Sequence, residues 1–342
     1  MKAIAPGKLI LSGEHSVVYG RPALAMAVNR NAQTLVMPDA GGAAALAGQV
    51  SFALPNVGVE RESFTLRALR DFHARLSRNY RDFVAGRLPI SEVVRKPIDL
   101  FEYAFVTILD GLHLKVREGI GVTTLSNIPI GCGMGSSAAT IMSLLRGVGH
   151  YYRVEFRPDW YYRYSLEVEN MQHGHASGLD TYVSMHGGCV RFQQGHAEEL
   201  PLPRVPLYLV NTGTPASTTG EAVADVARRL GPSARAWDDF ETVTTQMQDA
   251  LSSSNLHAFR RAMADNERLL ESIGVVPARV AEFIRGVEAT GGAAKICGGG
   301  AIRGDSSGVV LVAADAPPVD LCKTFGYEMM TVRPDPLGVR VV

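Results

Sequence analysis

The feature that most narrows what this chain can become is the segment Gly131-Cys132-Gly133-Met134-Gly135-Ser136-Ser137-Ala138-Ala139. Alternating glycines remove Cβ atoms from a short stretch of backbone, so its N–H groups can converge on one point. The segment follows a candidate strand, Val122 to Ser126, and precedes Ile141, Leu144, Leu145 and Val148, which recur at helical spacing. A glycine turn that opens a helix presents free amides and the positive end of a helix dipole, and an anion can rest there. Gly131, Gly133, Gly135, Ser136, Ser137 and Ala138 are therefore candidate phosphate-binding residues. The segment is not GxxxxGK[ST], because no lysine precedes the serines, and it is not GxGxxG with its acidic ribose contact. The structural alternative is a tight strand-to-helix turn capped by Ser136.

Composition bounds what such a loop could serve. With 342 residues, 46% of them apolar, the chain can bury a large core, and its size suggests two fused subdomains. Lysine plus arginine and aspartate plus glutamate both number 34, so no global field exists to hold a nucleic acid or an anionic membrane surface. Phosphate binding must then be local. Cys132, Cys189, Cys297 and Cys322 are scattered, without a CxxC pair, which fits a reducing cytoplasm rather than a disulfide framework. The first residues carry only a three-residue apolar run, so neither a signal peptide nor a membrane anchor is expected there.

Hydrophobic patterning predicts an α+β chain. Lys8-Leu9-Ile10-Leu11 reads as a short buried strand bounded by Pro6-Gly7 and Gly13, and Pro22 to Val28 as a second apolar stretch. Gly41 to Ala45 reads as a hairpin tip or loop. Thr65 to about Phe83 and Ile90 to Leu109 read as helices, followed by Leu112, Leu114 and Val116 alternating with polar residues as a half-exposed strand. The helical region from Thr65 to Leu109 suits an acceptor lid or a homodimer surface equally. Three prolines between Pro201 and Pro206 suggest a crossing between subdomains, 1–205 and 206–342. Beyond it, Leu256, Phe259, Met263 and Leu270 mark one amphipathic helix and Val280, Phe283, Ile284 and Val287 another, with Val309 to Ala313 a buried strand.

Three segments, in order, resemble the GHMP family of small-molecule kinases: Ala5-Pro6-Gly7-Lys8 leading to Gly13-Glu14-His15, the glycine-serine loop, and Lys295-Ile296-Cys297-Gly298-Gly299-Gly300. Within that family, Gly13 to Gly20, Leu54-Pro55-Asn56-Val57-Gly58 and His173-Gly174-His175-Ala176-Ser177-Gly178-Leu179-Asp180 are most similar to the branch that phosphorylates mevalonate. The resemblance implies a two-subdomain fold with the active site in the cleft between them, and ATP, Mg²⁺ and mevalonate as the small molecules bound. It implies Asp180 as the catalytic carboxylate and Lys8 as the cation beside it, with Ser137 and Glu169 as Mg²⁺ ligands. Oxygen donors of that kind suit a hard cation. It further implies substrate contacts from Glu14, His15 and Thr218. The chain departs from the family pattern at Gly298 to Gly308, which is longer and carries Arg303 and Asp305, and at His175-Ala176. A zinc site from His173, His175, His186 and Glu169 is the weaker reading, since no HExxH is present.

Overall fold

The computed structural model describes residues 1–39 and 48–342; the Gly41–Ala45 turn expected from sequence lies outside the described residues. The chain begins with β1 (Lys2–Ser12), β2 (Ala23–Pro38), β3 (Gln49–Leu54) and β4 (Val59–Thr65), followed by α1 (Leu66–Val84) and α2 (Pro97–Gly111). Next come β5 (Ile120–Ser126), α3 (Ser136–Tyr151), α4 (Pro158–His173), α5 (Leu179–His186), β6 (Cys189–Gln193) and β7 (His196–Leu200). The remainder is β8 (Leu207–Asn211), α6 (Thr219–Leu230), α7 (Ala236–Ser252), α8 (Leu256–Ser272), α9 (Ala278–Ala289), β9 (Ala293–Ile296), β10 (Val309–Ala313), α10 (Val319–Phe325), β11 (Glu328–Thr331) and β12 (Arg340–Val341).

Two sheets organise these elements. The first has the order β12-β1-β2-β5-β3-β4, with β6 pairing β2 and β7 beyond it; the second is β11-β8-β10-β9. All pairs are antiparallel except β3 with β5, so this is an α+β arrangement. The first sheet packs against α2, α3 and α4 through residues such as Leu9, Met26, Phe52, Phe105 and Leu144, all fully buried. The second packs α9 and α10 through Val310, Val312, Phe283, Ile284 and Cys322. The change of sheet falls between β7 and β8, across Pro201 to Pro206, and the chain end then returns so that β12 pairs β1. Among the described residues no helix is long and apolar enough to cross a membrane.

Several local expectations need correction. β1 does not start at Lys8 but runs unbroken through Pro6-Gly7, because a register shift falls between those residues and absorbs the donor that proline lacks. The second helix starts at Pro97 rather than Ile90. Proline is accepted at the first helical position, and the Asp99 carboxylate accepts hydrogen bonds from the Arg95 and Lys96 amides just before it. Leu112, Leu114 and Val116 do alternate in burial with their polar neighbours, yet no strand forms there. Alternation reports one covered face; a strand also needs a ladder partner.

Candidate active site

β1 leads into the site at both ends of its second half. A side chain on Gly7 would meet the Met134 carbonyl oxygen at 2.9 Å, and the Lys8 amide donates to that same oxygen at 2.9 Å, so the glycine loop lies directly on the strand. Lys8 is thereby buried beneath the loop. Its Nζ donates to the Gly133 carbonyl at 3.2 Å and stands 3.3 Å from Asp180 Oδ1. Asp180 sits in the first turn of α5, where the helix dipole favours a carboxylate, and its side chain keeps 36% of its surface open to the cleft.

The loop itself has φ of 71°, 78° and 66° at Gly131, Gly133 and Gly135, a left-handed conformation that side-chain-bearing residues rarely adopt. Space also forbids a side chain at Gly133, whose Cβ would fall 2.4 Å from the Cys297 carbonyl oxygen. The C-terminal glycines thus prop the loop: Gly298 packs backbone to backbone on Gly133, and Gly308 does so on Cys132. Gly135, not Ser136, is the N-cap of α3, and no side chain caps that terminus. The amides at the start of α3 are consequently left for an external acceptor.

Ser137, on the first turn of α3, meets Glu169 from α4. Ser137 Oγ lies 2.5 Å from Glu169 Oε1 and 2.7 Å from Gln172 Oε1. Three oxygens, Ser137 Oγ, Glu169 Oε1 and Gln172 Oε1, thus converge, and oxygen donors are what a hard cation takes. The residues present therefore fit Mg²⁺. Burial raises the Glu169 carboxyl above its usual range, opposed by His173 and by the Ser137 hydrogen bond. His173 Nε2 is 3.7 Å from Glu169 Oε2. Gln172, one helical turn after Glu169, was not singled out from sequence; its i, i+3 relation to Glu169 is the signal that could have found it.

Beyond β1 the chain turns through Gly13-Glu14-His15 into a 3-10 turn, Ser16–Tyr19. His15 adopts φ 60°, ψ −47°, a strained backbone worth about 1–3 kcal/mol. Its ring is buried, with Nε2 3.0 Å from the Gly299 carbonyl oxygen. A carbonyl only accepts, so Nε2 carries the hydrogen, and Nδ1 is left as a buried acceptor without a partner. Burial lowers the pKa of this ring, which keeps the acceptor neutral.

The structure brings Lys8, Glu14, His15, Gly131, Gly133, Gly135, Ser136, Ser137, Glu169 and Asp180 to the wall of one cleft of about 610 Å³. Ala138 is buried beneath it. The Glu14 carboxylate is turned inward: Lys295 Nζ donates to Oε1, and Asn266 Nδ2 donates to Oε2 at 3.3 Å. The Thr218 hydroxyl is engaged elsewhere, capping α6 in a reciprocal box with Glu221, while its neighbour Thr219 lines the cleft. Arg303 is bound to Glu221 at 2.9 Å. Leu54, Val57, Leu100, Phe101 and Ile130, with Asn56, give the cleft a largely apolar part of its lining.

Comparison with known proteins agrees with this geometry. Residues 99–188 match the family model described as GHMP kinases N terminal domain. A protein of Thermococcus onnurineus (strain NA1) named mevalonate kinase is 28% identical over 308 residues, covering 87% of this chain and 86% of its own. The crystal structure of the Methanococcus jannaschii mevalonate kinase superposes with a TM-score of 0.79 at 20% identity, over 98% of both chains. That of L. major mevalonate kinase in complex with R-mevalonate gives 0.71 at 20% identity, over 98% of this chain and 96% of the other. The match to the GHMP kinases N terminal domain thus falls on residues 99–188, and the fold follows that of the Methanococcus jannaschii enzyme from end to end.

Proposed function

We propose that the protein transfers the γ-phosphoryl group of ATP to a hydroxyl of mevalonate, in the cleft between an N-terminal unit, 1–205, and a C-terminal unit, 206–342. The observation that carries this reading is the Lys8–Asp180 pair, 3.3 Å apart and pressed against Gly135 of the loop. Phosphoryl transfer asks for little covalent chemistry from a protein; positioning and charge neutralisation dominate. The free amides at Ser136, Ser137 and Ala138, with the loop from Gly131 to Gly135, receive the phosphates. The apolar part of the lining, at Asn56 and Val57, takes the nucleoside. Ser137 and Glu169, with Gln172 beside them, would hold Mg²⁺, which when bound neutralises phosphate charge.

On the acceptor side, His15 and Thr219 line the cleft, and His15 holds a substrate hydroxyl in place. Asp180 receives the proton of the attacking hydroxyl as the new oxygen–phosphorus bond forms and the bond to the bridging oxygen of ADP breaks. Lys8 holds Asp180 in place and favours the negative charge that develops on the attacking oxygen. Glu14 acts indirectly, as the buried partner of Lys295, by fixing the turn that carries His15. Similarity to kinases that carry mevalonate in their names favours this acceptor, and four buried free cysteines suit the cytoplasm. An ADP-release assay with Mg-ATP against mevalonate, phosphomevalonate and galactose tests the reading. Turnover with mevalonate well above the other two is expected; a preference for another acceptor, or no turnover at all, overturns it.

A further inference from the structure

A second cavity, of about 570 Å³, lies between β4, α1 and the start of α2. Glu102 lines it from α2, a helix whose neighbouring residues Tyr103, Ala104, Phe105 and Val106 are core. The side chain is only 5% exposed. Among the described residues, no hydrogen-bond donor and no cation within ion-pair distance serves its carboxylate. Of the nearby basic groups, Arg95 pairs with Glu92 at 2.6 Å, the Arg75 guanidinium lies over the Phe72 ring, 4.8 Å from its centroid, and Lys96 lines the cavity beyond ion-pair distance of Glu102. A largely covered carboxylate without a protein partner is disfavoured in its charged form, and a cation delivered through the cavity relieves it.

The walls define that cation. Phe64, Phe72, Leu76, Val93 and Ile98 make much of the cavity apolar. A bare divalent ion would need six or more oxygen ligands, and among the described residues no cluster of three acidic, histidine or cysteine side chains could supply them. We infer that this cavity binds a small organic ammonium ion, with its charged head on Glu102 and its apolar body against Phe64, Phe72 and Leu76. Glu62 and Asp99 add negative charge around the head, partly offset by Arg75 and Lys96. Burial, followed by Asp99 and Glu62, pushes the Glu102 carboxyl up to about 7, the response of an acid that lacks a counter-ion. The site is separate from the catalytic cleft, although Arg95 and Lys96 face both.

Titration of the full-length protein with benzylammonium chloride at about pH 8, where Glu102 is ionised, tests the inference. Calorimetry should give saturable binding with one site, undiminished by saturating ATP. The neutral analogue benzyl alcohol, on the same unaltered protein, should bind at least about tenfold more weakly, as should benzylammonium to Glu102→Gln. Leu76→Trp, which fills the cavity, should remove binding. Kinase turnover of Glu102→Gln should match that of the parent. Absence of saturable binding, equal affinity for the alcohol and the ammonium ion, or displacement by ATP would each overturn it.

Discussion

Lys295 and Glu14, 281 residues apart in sequence, form an ion pair with both side chains out of contact with solvent. Lys295 Nζ also donates to the Ile10 carbonyl at 3.1 Å and the Ile296 carbonyl at 2.7 Å, so its three hydrogens are all used. The pair joins the turn after β1, in the first sheet, to β9 in the second. A buried pair is not strongly stabilising in itself, but breaking it leaves a bare charge in the core.

Replacing Lys295 by Met should therefore destabilise the fold by about 3–5 kcal/mol. The double variant Lys295→Met, Glu14→Gln should recover a substantial part of that loss, because no unpaired charge remains. Urea unfolding of the parent, both single variants and the double variant measures the coupling directly. Simple additivity of the two single losses would show that the pair does not act as a unit.

The glycine loop separates conformational strain from close packing. Gly131 and Gly133 share a left-handed φ, but a side chain at Gly131 meets nothing within 4 Å, whereas at Gly133 it strikes the Cys297 carbonyl. Gly131→Ala should cost about 1 kcal/mol, the price of the backbone conformation alone. Gly133→Ala should cost more than that and also weaken ATP binding, since the loop must lift from the C-terminal glycine cluster. Unfolding curves together with nucleotide titrations check both, and equal effects at the two positions would contradict the packing account.

Glu267 gives the fold a pH dependence. Burial pushes its carboxyl up to about 8 from an ordinary 4.5; Oε2 accepts from the Ile296 amide, and Oε1 has no partner. Between those two values the folded protein binds more protons than the unfolded chain. Stability is then fully present below about pH 4.5, declines as pH rises, and levels off above about pH 8. Glu102, raised to about 7, acts in the same direction over a narrower window. Glu267→Gln should flatten this decline, so that its stability relative to the parent improves from about pH 5 to about pH 9. Thermal unfolding across that range tests it; parallel curves for the two proteins would remove Glu267 from the account.

What could be read from sequence was local. The loop from Gly131 to Ser137 was legible because positive φ demands glycine, and the helix after it because apolar residues recur at 3.6. The capping role of Thr218 is equally legible, since Thr218-Thr219-Gly220-Glu221 has capping-box spacing. The inward turn of Glu14 was not legible, because its partner lies at the other end of the chain and leaves no periodic trace. The same holds for the props at Gly298 and Gly308 beneath the loop, and for the non-strand at Leu112 to Val116, where the pattern was present and the ladder partner was not. Burial of Glu102 beside an apolar cavity depends on where α1 meets α2, which no spacing within either helix encodes.

In the proposed reaction Asp180, held by Lys8, manages the acceptor proton during phosphoryl transfer. The most direct test measures mevalonate-dependent ADP release by Asp180→Asn beside its affinity for ATP. A fall in kcat of about 10²–10⁴-fold is expected, as for loss of a positioned acid–base group, with ATP affinity nearly unchanged because Ser137, Glu169 and the glycine loop are intact. Turnover within a few-fold of the parent would contradict it.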